Sequence, residues 1–232
     1  MSDDRHANRN APPLNPLPPV VWLLALPMIA IELVLSLGAR GLIGGPKAVG
    51  WRLDMLERFA FSPDLMRYMV ETRQFPLDDL ARMLTYPFVH GNITHVLFVV
   101  VILLALGKFV GEVFRWWALL AVFFASSVVG ALVFAAVPAI RAPLFGGYPA
   151  VYGLIGAFTF LLWVRRVGSG GNQYRAFSMI GFLMLMQLLF GVLFGGGWDW
   201  VADLSGFAAG FVLSFVVAPG GWARVRDRLR QR

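Results

Sequence analysis

Long apolar runs alternate with short polar stretches along this chain, and their length predicts membrane-spanning helices. A helix crosses the hydrocarbon with about 20 predominantly apolar residues, in a range of about 17 to 25. Six runs meet or approach that length, over residues 20–37, 93–110, 116–137, 150–164, 176–194 and 200–217. The fourth is the shortest. As a full span it requires its first turn to lie in a protein-lined cavity, where irregular backbone is tolerated. The pattern predicts an all-α polytopic membrane protein with six spans and both termini on one side.

The connection between the first two runs, residues 38–91, is too long for a simple link. Within it, "WRLDMLERFAFSPDLMRYMVE" sets Leu53, Leu56, Phe59 and Ala60 at helical spacing with charges between them. This predicts a short amphipathic helix at the interface, a turn at Ser62-Pro63 and room for a second helix. Such a loop suits a gate over a cavity or a simple interfacial anchor. Residues 1–19 are polar and proline-rich and are expected to form a disordered tail, with no small-residue cleavage site of a secretory signal. Residues 20–218 then form one membrane domain and residues 219–232 a basic tail, "RVRDRLRQR".

Composition removes a water-soluble alternative, since 58% of residues are hydrophobic, 14% are charged and the mean hydropathy is +0.69. There is no cysteine, which excludes disulfides and thiolate zinc sites. The net charge of +7 raises the question of nucleic acid, but the basic residues flank apolar runs. Lys108 and Arg115 lie in one short connection, Arg165, Arg166 and Arg175 in another, and the remaining cluster in the tail. That distribution orients a membrane protein with cytoplasmic termini; it implies a lipid bilayer as partner and no nucleic acid.

His90 and His95 stand five apart where the second run begins, while His6, the third histidine, lies in the tail on the opposite side. A histidine metal site needs a further ligand, so the pair reads as interface histidines bonded to loop backbone, with no metal and no cofactor implied. Glu32 and Gln187 are polar groups at membrane depth that are expected to face the bundle. The fourth run opens as "APLFGGYPAVYGLIGAF", in which glycines allow a sharp turn and proline suits the first helical turn.

Taken in order, "FVHGNITHVLF", "LGKFVGE", "GGYPAVYGLIGAF" and "WVADLSGFAAGF" make the chain similar to the rhomboid family of intramembrane serine proteases. The resemblance runs from about residue 80 to residue 217, and the six-span layout with a structured first outer loop extends it. It implies a Gly-x-Ser-Gly motif at the start of the fourth span, where this chain has Gly146, Gly147, Tyr148 and Pro149. The nucleophile position is therefore Tyr148. The resemblance also implies a base histidine on the sixth span, where Asp203 stands ahead of a preserved Gly206-x-x-x-Gly210 packing pattern. The oxyanion pair His-x-x-x-Asn becomes His95 and Val99.

These substitutions lead to the expectation of an inactive member, a pseudoprotease in a bacterial cytoplasmic membrane that binds or routes transmembrane segments. A tyrosine, with an ordinary pKa near 10, is a poor protease nucleophile. Ser126, Ser127 and Ser205 have no histidine neighbour by spacing. Two other readings remain: a divergent active endopeptidase, and a small-ligand or ion site in the former catalytic cavity. An aspartate at a helix centre costs about 2.5–3.5 kcal/mol on insertion scales, so Asp203 is expected to bond Tyr148 or pair with protonated His95 as a polar lock.

Overall fold

The computed structural model describes residues 16–168, 172–194 and 197–220. The expected tails, the middle of the arginine-rich connection and the first part of the "GGGW" turn lie wholly or mostly outside the described residues.

Nine α-helices occur among the described residues. Five are long and apolar enough to cross a membrane: α1 (Pro19–Ala39), α5 (Ile93–Gly111), α6 (Trp116–Ala136), α7 (Tyr148–Gly168) and α9 (Asp199–Val217). The fifth apolar run folds as α8 (Ser178–Phe194), whose 17 residues reach about 25 Å at 1.5 Å per residue. It is shorter than the five others because a 3₁₀ turn, Gln173–Phe177, takes up its first residues.

The fourth run departs from its expected short form. α7 begins at Tyr148, two residues before the apolar run, and continues through Arg165 and Arg166 to Gly168, which makes 21 residues. Its termini escaped hydropathy because a Tyr-Pro start and a basic last turn are good helix ends but poor apolar signals. Gly146 has φ +90°, a conformation open to glycine, and turns the chain into the helix. Val151 then donates the first helical hydrogen bond to the Gly147 carbonyl at 3.0 Å.

The long loop holds α2 (Trp51–Phe59), α3 (Pro63–Thr72) and α4 (Leu77–Thr85), more helix than its sequence suggested. Ser62 caps α3 by accepting from the Leu65 N–H at 3.3 Å. α2 presents Trp51, Met55, Leu56 and Phe59 to the protein, whereas Leu53 is 61% exposed, so the expected apolar stripe is rotated by about one residue.

Two devices fix this loop on the bundle. Arg67 donates to the carbonyls of Ala135, Val137 and Ile140 at 2.9, 3.1 and 2.6 Å, which satisfies the open C-terminal end of α6. Arg52 closes on Glu32 of α1 at 2.7 and 2.9 Å and also donates to the His90 carbonyl at 2.8 Å. Ser36 adds a 2.6 Å bond to Glu32, so this buried carboxylate, at 4% exposure, is fully partnered.

The centre of the bundle is α7 packed on α9 and α6. Here backbone meets backbone: a Cβ on Gly206 would strike the Pro149 carbonyl, and one on Gly210 the Gly153 carbonyl. Likewise a Cβ on Gly156 would strike the Phe207 carbonyl. In lipid such close approach is a principal source of helix association, because the tails are as apolar as leucine.

Candidate functional site

A cavity of about 500 Å³ opens at the end of the bundle that carries the long loop. Its wall takes His95 from α5, Phe134 from α6, Tyr148 and Pro149 from α7, Gln187 from α8, and Asp199 and Asp203 from α9. The 137–147 connection closes one side with Arg141, Leu144 and Phe145. That connection is held by an isolated β-bridge between Phe61 and Leu144, with bonds of 2.9 and 2.8 Å, and by the Gly146 N–H donating to Tyr86 at 3.0 Å.

His95, Tyr148, Pro149 and Asp203 therefore share one cavity. Val99 and Gly147 lie behind them, fully buried against each other, with Val99 Cγ1 only 2.7 Å from where a Gly147 Cβ would be. Gly206 and Gly210 face α7 as described above.

The expected lock is wired differently. Asp203 accepts from Gln187 Nε2 at 2.7 Å, and Tyr152 donates to Gln187 Oε1 at 3.4 Å. Tyr148 instead stacks on the His95 ring, with centroids 4.9 Å apart and planes 19° from parallel. Neither Tyr148 nor His95 bonds Asp203. The physical reason is placement: Gln187 reaches from α8 to the aspartate, while the flat phenol covers the imidazole face. The other aspartate oxygen, Oδ1, is buried and unpartnered, as is His95 Nε2, which packs against Gly146.

His90 has a structural task. It lies edge-on to His95 at 5.0 Å, and its Nε2 accepts from the Gly147 N–H at 3.3 Å, fixing the turn before α7. Accepting there places the ring proton on Nδ1 of a neutral imidazole. Burial, reinforced by neighbouring His95, pushes the His90 pKa down from 6.5 to about 3.

Among the described residues no serine hydroxyl bonds either histidine: Ser127 donates to Phe123 at 2.9 Å, Ser205 to Val201 at 2.6 Å and Ser214 to Gly210 at 2.7 Å. Ser126 is buried beside Gly153. A stacked phenol offers the imidazole its π-face, whereas proton transfer needs an in-plane nitrogen lone pair aimed at the hydroxyl. No group of three or more His, Asp or Glu side chains among the described residues could hold a metal ion.

Two cavity residues carry more than the sequence reading gave them. Gln187 was legible only as a polar group at depth, yet it is the partner of Asp203. Asp199 precedes Asp203 by four residues and so shares its helix face; that spacing was the available signal.

A membrane-embedded helical bundle with a glycine-packed central pair and a polar cavity at its loop end defines the class. The chain belongs to the rhomboid family: a rhomboid-domain model matches residues 77–220, more than half its length. No curated protein matches the chain.

Proposed function

We propose that this rhomboid-family membrane protein has six spans, with α8 as the shortest, and cytoplasmic termini. It lacks protease activity and binds or routes transmembrane segments in a bacterial cytoplasmic membrane. One observation carries the reading: Tyr148 stands at the start of α7, where the resemblance implies a nucleophile, and is stacked on His95 rather than bonded to a base. Asp203, at the base position, is engaged by Gln187. Positive charge in the connections between spans supports the orientation. The open cavity at the end of the glycine-packed α7–α9 pair supports a binding role.

The test places a photoreactive side chain in the cavity, as Tyr148→p-benzoylphenylalanine, in protein reconstituted with a transmembrane peptide. Light-dependent adducts that an unlabelled peptide competes away are expected. Adducts with lipid alone would contradict the binding role.

A further inference from the structure

A crevice of about 430 Å³ opens between α1 and α2 on the outside of the bundle and shares no lining residue with the His95–Tyr148 cavity. Ile31, Val34 and Leu35 of α1 form one wall, and Trp51 and Met55 of α2 the other. Val34 precedes the end of α1 at Ala39 by five residues, about 8 Å at 1.5 Å per residue, so the crevice lies below the loop end of an apolar span. At that depth the surrounding fluid is hydrocarbon. An apolar void there takes an acyl chain rather than water.

One side chain breaks the apolar lining. Asp54 is exposed on the wall, and among the described residues its carboxylate has no hydrogen bond or ion pair. A carboxylate left bare beside hydrocarbon is costly and calls for a cationic partner. Arg58 stands one turn further along the same face of α2, also exposed, with its guanidinium carbon 5.4 Å from the centre of the Phe59 ring rather than on Asp54. The α2 side of the crevice therefore carries a negative and a positive charge one helical turn apart.

We propose that the α1–α2 crevice seats one acyl chain of an aminophospholipid, with the primary ammonium of the head group on Asp54 and its phosphate on Arg58. The charge pattern selects this occupant. An anionic head without an amine meets Arg58 but is repelled by Asp54, and a choline head has no N–H to donate to the carboxylate.

The site is separate from the cavity and its test contains no transmembrane client, so it can fail without touching the client-binding reading. Full-length protein, stripped of lipid in detergent, is titrated with dioleoyl phosphatidylethanolamine, and bound lipid is counted by native mass spectrometry. One tightly held lipid is expected, bound about fivefold more strongly than phosphatidylglycerol or phosphatidylcholine with the same chains. Asp54→Asn, an exposed change, should remove that preference, and Arg58→Gln should weaken phosphatidylethanolamine about threefold. Val34 is 46% exposed, so Val34→Trp can fill the crevice without entering the core, and it should abolish the tight adduct whatever the head group. Equal retention of the three lipids by the unmodified protein, or a preference that persists in Asp54→Asn, would overturn the proposal. So would a tight adduct unchanged by Val34→Trp, which would place the lipid elsewhere.

Discussion

The seam between α7 and α9 and the cavity at its loop end are built from the same two helices, yet different rules govern them. Pro149 belongs to both, with its carbonyl against Gly206 in the seam and the residue itself on the cavity wall, while Tyr148, one residue earlier, lines the cavity; Gly206 is in the seam and Asp203, one turn earlier, in the cavity. In the seam each glycine faces a backbone carbonyl that cannot rotate away, so any side chain separates the helices. In the cavity side chains face open space and can change kind while the backbone stays in place. Backbone packing can therefore stay fixed while the side chains of the cavity vary.

The largest effect should come from the seam. Gly210→Val drives side-chain atoms into the Gly153 backbone and should cost about 3 kcal/mol or more, read as loss of a monodisperse folded protein in detergent. Tyr148→Phe, a cavity change five residues before Gly153 on the same helix, should cost under about 1 kcal/mol; equal losses would break the contrast. Next is the loop clasp. Arg52→Ala strands the buried Glu32 and should cost about 3 kcal/mol, at the lower end for such pairs because Arg52 retains 21% exposure. Adding Glu32→Gln should recover part of that loss, and additive losses would exclude direct coupling.

Smaller still is Gln187→Leu, which leaves both Asp203 oxygens without a partner and should lower stability by about 1–3 kcal/mol. Asp203→Asn should be milder, since its side-chain oxygen can still accept from Gln187. The gentlest probe is pH. Because the His90 pKa is depressed to about 3 in the folded protein, the unfolded chain takes up a proton below 6.5 that the folded one refuses. Stability is complete above pH 6.5 and falls on acidification toward 3, by at most about 1.4 kcal/mol per pH unit from this group. His90→Gln can still accept from Gly147 and should flatten that slope in detergent melts between pH 7 and 5.

Much of the membrane fold was legible because hydrocarbon imposes length and apolarity on every span, whichever residues supply them. The three loop helices were only partly legible. Their short amphipathic turns are stabilised by Arg67 and Arg52 reaching across 68 and 20 residues, which no local pattern encodes. The resemblance pointed to Tyr148, His95 and Asp203, and the cavity does gather them. Their bonds were not legible, since whether Asp203 meets Tyr148 or Gln187 depends on how α8 docks against α9. The apolar run alone missed the ends of α7, because proline and arginine are sound helix ends but interrupt such a run; the Tyr-Pro start was legible as a first helical turn.

The central claim is that the scaffold persists without the reaction. Its most direct test is cleavage of a rhomboid-type transmembrane substrate by the purified protein in lipid vesicles, beside a Tyr148→Ser, Pro149→Gly, Asp203→His variant. The account predicts intact substrate with the unmodified protein after prolonged incubation. Substrate cleavage by the unmodified protein, persisting after contaminating proteases are removed, would contradict it.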